Sequence, residues 1–137
     1  MAMTQDEMIA TFEALWRDIG IDPAAAADAS DWWSTNLEGR TVQGGVHYDD
    51  VRIFISISDV DVDADIDALY ADIAAKNAAL PKSADVRYVE EDNYIQVRGL
   101  IPLADVTPAG IRALLKACMT VADSDAAAAL GAKYQSW

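Results

Sequence analysis

The stretch Tyr94-Ile95-Gln96-Val97-Arg98-Gly99-Leu100-Ile101-Pro102-Leu103 alternates apolar and polar side chains. A period of two is typical of a β-strand that buries one face. Asp92-Asn93 before the stretch favours a turn, Pro102 ends the strand, and Thr107-Pro108 has the form of a helix start. The other segments are interpreted as partners of this strand in a sheet or as helices that cover the sheet.

Helices are predicted where capping residues precede apolar side chains at helical spacing. Thr4 to Glu7 has the pattern of a capping box, and apolar residues recur from Ile9 to Ile19. Asp22-Pro23 predicts a second, short helix that runs to about Trp33, followed by a loop over 36–40. Later helices are predicted from Ile66 to Pro81, after Thr107-Pro108, and over the alanine-rich end from Ser124 to Tyr134.

Two hairpins are predicted to form the sheet. Val51 to Ser58 alternates cleanly, with isoleucines on one face, and pairs with Thr41 to His47 through a turn near Tyr48-Asp49-Asp50. Val86 to Glu90 pairs with the strand from Tyr94 through a turn at 91–93. Gly44-Gly45 predicts a bulge or the close approach of another backbone.

This order of elements predicts one α+β domain over residues 1–137, with an antiparallel sheet built from two hairpins and helices packed mainly on one face. The element order is α-(α)-β-β-α-β-β-α. A chain of 137 residues is long enough for one domain and too short for two. Residues 1–3 are interpreted as start or cloning residues.

The chain is strongly acidic, with 23 acidic against 10 basic residues and a formal net charge of −13. Such a surface repels nucleic acid and anionic lipid, so neither is expected as a partner. A salt-adapted source or a GC-rich genome explains the same composition equally well. We expect a cytoplasmic protein, because no apolar run is long enough to span a membrane and no secretory signal is visible.

No catalytic, cofactor or metal site is predicted. Asp61, Asp63, Asp65 and Asp67 alternate as in a calcium loop, but Ile66 occupies the position that needs glycine, so these acids are interpreted as helix-capping residues. His47 is the only histidine and is interpreted as an exposed strand residue. Cys118, the only cysteine, lies in an apolar helical stripe, which favours a buried structural role over a nucleophile.

The candidate partner-binding residues lie on the polar face of the predicted sheet. If the isoleucines are buried, the opposite face carries two arginines, two aromatic residues and a glutamine: Arg52, Phe54, Tyr94, Gln96 and Arg98. Arginine and aromatic side chains are enriched in protein interfaces. The face is predicted to contact a foreign protein or a second copy of the chain. An ordinary solvated sheet face is the alternative.

The region from Asn93 to Ala122 resembles the YbjN-domain family, which has the fold of the type III secretion chaperones. The resemblance is carried by the strand Tyr94 to Leu100, the step Ile101-Pro102-Leu103, the connection over 104–108, and the helix with Ile111, Leu114 and Leu115. It implies a non-enzymatic domain, commonly dimeric, that binds another protein.

The leading hypothesis is therefore a cytoplasmic, non-enzymatic protein-binding domain, YbjN-like or secretion-chaperone-like, that forms a homodimer. It would bind its partner by strand addition or in a groove. The acidity also suits an immunity or antitoxin-type protein that neutralises a basic toxin. A small-molecule binder or an enzyme is the third reading, because helices over a curved sheet can enclose a pocket.

Overall fold

The computed structural model describes residues 3–81 and 85–136. The elements within them, in chain order, are α1 Gln5–Asp18, α2 Pro23–Ala26, β1 Ala27–Ala29, β2 Trp32–Leu37, β3 Arg40–His47, β4 Asp50–Asp59, α3 Ile66–Ala79, β5 Val86–Glu91, β6 Tyr94–Pro102, a 3₁₀ turn Leu103–Asp105, α4 Pro108–Ala122 and α5 Asp125–Tyr134. The expected α+β class is confirmed.

The strands of the described residues form a single antiparallel sheet in the order β1-β2-β3-β4-β6-β5. β4 and β6, the two strands with the clearest alternation, are neighbours near its centre. Both predicted hairpins are present, with turns at Tyr48-Asp49 and Asp92-Asn93. Tyr48, Asp92 and Asn93 have φ between 50° and 66°, so these tight turns use left-handed backbone.

The core lies between one face of the sheet and the helices. Val51, Ile53, Ile55, Ile95 and Val97 are almost completely buried on this face, as the alternation predicts. They join side chains from α1, α3, α4 and α5 in one cluster, whose largest fully buried members are Trp16, Tyr88, Phe12, Leu69, Ile111 and Leu130. Each such side chain contributes roughly 1.5–3 kcal/mol on burial, so this cluster is the main source of stability.

The predicted helix starts are present with their capping hydrogen bonds. Thr4 and Glu7 form a complete capping box at α1, and Thr107 accepts from the Gly110 N–H at the start of α4. Ser124 accepts from the Ala127 N–H at the start of α5. These side chains satisfy backbone donors that have no partner inside the helix.

The predicted helix over residues 24–33 is wrong beyond Ala26. Residues 27–29 form β1, and Trp32–Leu37 forms β2, which pairs along its whole length with β3. In a strand the adjacent tryptophans point to opposite faces. Trp33 is buried and stacks on Phe12 with ring centroids 5.4 Å apart, whereas Trp32 lies half-buried on the other face. Tertiary packing of the indoles therefore outweighs the local helix preference.

The predicted loop over 36–40 is also wrong, because only Glu38 and Gly39 form a turn between β2 and β3. The sheet therefore contains more than the two predicted hairpins. The close backbone approach predicted at Gly44-Gly45 is observed: a Cβ at Gly45 would collide with the Asp31 carbonyl oxygen and lie 2.9 Å from the Trp32 Cα. Glycine at this position lets the β1–β2 turn sit against β3.

Candidate protein-binding face

The five candidate residues Arg52, Phe54, Tyr94, Gln96 and Arg98 lie on the sheet face opposite the core. Phe54 is directly opposite Arg98, and Ser56 is opposite Gln96, across the β4–β6 pair. The strand registers place further side chains on the same face. We call it the open face; it comprises Trp32, Ser34, Asn36, Thr41, Gln43, His47, Asp50, Arg52, Phe54, Ser56, Arg87, Val89, Glu91, Tyr94, Gln96, Arg98 and Leu100.

A groove of about 200 Å³ crosses the centre of the open face. Phe54, only 8% exposed, lies in it, and Tyr94, 49% exposed, flanks it. The other lining residues are uncharged hydrogen-bonding side chains: Thr41, Gln43, Ser56 and Gln96. The groove therefore offers amide and hydroxyl donors and acceptors around an aromatic surface, a combination suited to an extended peptide.

An aromatic cluster continues from the groove towards one edge of the open face. Trp32 lies 6.2 Å from Phe54 and 6.4 Å from His47, measured between ring centroids. Tyr48 packs edge-on against His47 at 4.7 Å and is 86% exposed. His47 is thus half-buried among aromatic rings rather than an exposed strand residue, which corrects the prediction. The sequence did not indicate this cluster, because Trp32 had been assigned to a helix.

The arginines of the open face differ in how well they are paired. Arg52 donates to Asp50 at 2.7 and 3.3 Å, and this hydrogen bonding raises the pKa of Arg52. Arg98 approaches Asp85 only at 3.7 Å. Arg87 lies directly opposite Arg98 across β5 and β6. Sequence reasoning did not include Arg87, because the sequence of β5 does not alternate clearly and because the pairing of Arg87 with Arg98 depends on the strand register.

The aspartate run before α3 has a structural role. Asp65 is the N-cap of α3 and accepts a hydrogen bond from the Ala68 N–H at 3.1 Å, while Asp61 accepts from the Asp63 N–H at 2.8 Å. Within residues 3–81 and 85–136 no group of three or more histidine, cysteine or carboxylate side chains is arranged to hold a metal ion. The capping interpretation is confirmed for Asp65.

Cys118 lies on the buried face of α4 and is fully buried. Burial raises the pKa of its thiol to about 12, since the thiolate is poorly solvated in the apolar core. A nucleophilic cysteine requires the opposite environment. The structure therefore gives Cys118 a packing role, as the apolar stripe predicts.

A second concavity of about 520 Å³ lies between α3, β5 and α4. Its lining is mostly apolar, with Ala75, Ala79, Leu80, Tyr88 and Val121, and its polar members are Lys76, Thr120 and Ser124. The volume is within the range of small-molecule sites. Its polar groups are one amine, the Tyr88 phenol and two aliphatic hydroxyls, which do not make a matched acid–base pair.

In the described part of the chain, no helix has the length and apolar character needed to cross a membrane.

The arrangement of helices and sheet is shared with solved structures of low sequence identity. A chain in the crystal structure of the ExsC–ExsE complex matches with a TM-score of 0.63 and 13% identity, over 90% of this chain and 92% of that one. The fold is that of the type III secretion chaperones.

Two further structures agree with this assignment. The Yersinia pestis type III secretion chaperone SycH, in complex with a stable fragment of YscM2, matches with a TM-score of 0.55 and 14% identity, over 84% and 96% of the two chains. The HopA1–SchA chaperone–effector complex gives a TM-score of 0.57 and 8% identity, over 88% and 94%. No protein-family model matches the sequence, and no curated protein matches it significantly, so the YbjN-domain resemblance stays a prediction.

Proposed function

We propose that the protein is a non-enzymatic, cytoplasmic binding protein, secretion-chaperone-like or YbjN-like, that holds an extended segment of a partner protein on its open face. The observation that carries the proposal is the groove around Phe54, on a sheet face that exposes arginine, glutamine and aromatic side chains together. The solved structures of this fold support it, since one is a chaperone with a fragment of YscM2 and another is a chaperone–effector complex.

The chemistry of the open face suits a segment without secondary structure of its own. Gln43 and Gln96 each offer a donor and an acceptor, which are the groups that an unpaired peptide backbone requires. Phe54 and Trp32 provide apolar area for side chains of the segment, and aromatic residues frequently dominate binding energy. Groove binding on the open face is therefore the mechanism we propose.

The test is calorimetric titration with a candidate partner encoded beside the gene in the native genome. Phe54→Asp and Arg98→Glu are each expected to weaken binding at least about tenfold, since each alters the centre of the face. Val62→Asp, at a 96% exposed position before α3, and Arg112→Glu, on α4, introduce the same charges elsewhere and serve as matched controls. Unchanged binding by Phe54→Asp and Arg98→Glu would remove the open face from consideration.

We propose further that the chain forms a homodimer through the outer face of α3. Tyr70 is 51% exposed there, and Ala71, Ala74 and Ala78 expose small side chains along the same helix. Asp67, in the first turn, is the charged residue of this face, and the row of alanines that follows it is uncharged on a protein of net charge −13. Ala74→Asp is expected to give a monomer in sedimentation equilibrium. The control variant Ala129→Asp, on α5, should remain a dimer. A wild-type chain that sediments as a monomer would contradict the proposal.

The net charge of −13 favours one second candidate, an immunity or antitoxin-type inhibitor. A strongly acidic surface accelerates association with a basic toxin, and that acceleration falls steeply with ionic strength. A toxin gene next to this gene and an association rate that declines with added salt would support this function over the chaperone-like one. A secretion operon as the neighbour would support the first.

A further inference from the structure

We propose that Arg87 and Arg98 together bind a carboxylate of the partner segment, so that the open face selects segments with an acidic residue beside an apolar one. This inference rests on the proposed function and specifies the chemistry of the partner. It concerns Arg87 above all, which the sequence did not single out.

The two arginines belong to one row of side chains across the sheet. Phe54 of β4 is opposite Arg98 of β6, and Arg98 is opposite Arg87 of β5. Val86 and Tyr88, the neighbours of Arg87 in β5, are 4% and 2% exposed on the core face, so Arg87 lies on the open face. Like charges directly opposite each other destabilise a sheet. A bound carboxylate would remove that repulsion.

The guanidinium groups of this row have unused hydrogen-bonding capacity. The Nε of Arg98 is buried, so a carboxylate of the partner would bind the Nη groups, and Nη2 is 3.7 Å from the Asp85 Oδ1, beyond hydrogen-bond distance. Arg87 donates through Nη1 to the Val86 carbonyl oxygen at 2.8 Å, and no ion pair of Arg87 is found within residues 3–81 and 85–136. Arg52, by contrast, is already engaged by Asp50 at 2.7 Å.

The overall charge makes this row selective. A protein of net charge −13 repels an acidic segment over most of its surface, whereas the row concentrates two of its six arginines. The planar guanidinium fork matches a carboxylate with two parallel hydrogen bonds, which fixes its position as well as its charge. An acidic side chain would therefore be accepted at one position of the bound segment, next to the apolar side chain that contacts Phe54.

The test uses a displayed library of short linear peptides, selected on the wild-type protein. Recovered peptides are expected to carry Asp or Glu at a fixed spacing from an apolar residue. In titrations, the double variant Arg87→Gln with Arg98→Gln should bind them at least about tenfold more weakly, as expected for hydrogen bonds to a charged group. The variant should also no longer distinguish a peptide from its Glu→Gln analogue, which a double-mutant cycle measures.

The matched control is Arg17→Gln with Arg112→Gln, which removes two exposed arginines from α1 and α4. It should leave peptide affinity unchanged. Peptides that require Phe54 but show no acidic preference, or that bind the Arg87/Arg98 variant normally, would overturn the inference while leaving the proposed function intact. Failure to recover peptides, or recovery of peptides insensitive to Phe54→Asp, would overturn both.

Discussion

The side chain of Asn77 on α3 makes two hydrogen bonds with the backbone of Tyr88 on β5. Asn77 Nδ2 donates to the Tyr88 carbonyl oxygen at 3.0 Å, and the Tyr88 N–H donates to Asn77 Oδ1 at 2.7 Å. The amide thus occupies the outward-facing backbone groups of an edge strand, as a further strand would. Strand addition by a partner at this point of β5 would require Asn77 to leave, which favours binding on the open face instead.

Replacing Asn77 with alanine is expected to destabilise the protein by about 1–3 kcal/mol, because two part-buried backbone groups lose their partners. Urea denaturation measures this free energy of unfolding. Hydrogen exchange gives a sharper readout: the Tyr88 amide should exchange much faster in the variant. The Val89 amide, which faces β6 in the alternating antiparallel pattern, should change little. Equal acceleration at both amides would indicate general loosening of the strand rather than loss of this contact.

Gly99 of β6 lies directly beneath α4, and a Cβ at this position would be 2.5 Å from Cys118 Sγ and 2.7 Å from a Leu114 methyl carbon. Neither neighbour can move freely, since both are buried in the core. Gly99→Ala should therefore cost about 1–3 kcal/mol of unfolding free energy through overpacking. Denaturant titration at constant m-value is the measurement.

Gly44 provides the matched control for Gly99, because it lies on the core side of β3. A Cβ there would approach the Trp16 ring no closer than 3.3 Å. Gly44→Ala should thus be clearly less destabilising than Gly99→Ala. The reverse order would show that α4 can shift away from the sheet more easily than the packing indicates.

The central sheet was predictable because the spacing of apolar residues in the sequence and the burial of one sheet face have the same cause. Val51, Ile53 and Ile55 recur at every second position because the helices cover one face of β4. The same reasoning placed Phe54 and Arg98 on a common face. That they lie directly opposite each other depends on the strand register, which periodicity does not predict.

The segment from Ala27 to Leu37 was mispredicted because local preference and tertiary packing disagree there. The alanines after Pro23 favour a helix, yet the chain turns into strands within a few residues. Contacts between residues distant in sequence determine the strand conformation. Trp33 stacks on Phe12, and the absence of a side chain at Gly45 lets the backbone of Asp31 and Trp32 approach β3 closely. Arg87 was missed for a similar reason, since pairing of β5 with β6 determines its neighbour.

Acid should weaken the attachment of α5 to α3. Asp72 accepts hydrogen bonds from Lys133 Nζ at 2.7 Å and from the Tyr134 hydroxyl, and these contacts hold the pKa of Asp72 below its usual range. A lowered folded-state pKa contributes stability above the unfolded value of about 3.9, and this contribution is lost as the pH falls through the folded value.

Asp72→Asn is accordingly expected to lower the free energy of unfolding near neutral pH. The difference from wild type should shrink progressively as the pH is lowered below about 4. Denaturant titrations across this range provide the measurement. Asp63→Asn removes one charge from an exposed side chain and controls for relief of the overall negative charge. If the difference in free energy of unfolding between Asp72→Asn and wild type stays constant at every acidic pH measured, the effect comes from packing rather than from the ionised carboxylate.

Trp32 should report directly on occupation of the open face. It is half-buried on that face beside Phe54, whereas Trp16 and Trp33 are 0% and 3% exposed on the core side. In a Trp137→Phe background, acrylamide should quench part of the fluorescence. This quenchable part should be absent from the Trp32→Phe variant and present in the Trp33→Phe variant. Peptide binding on the open face should protect this fraction from acrylamide. If a peptide binds without protecting it, the bound segment does not cover Trp32, and the contribution proposed for Trp32 is wrong.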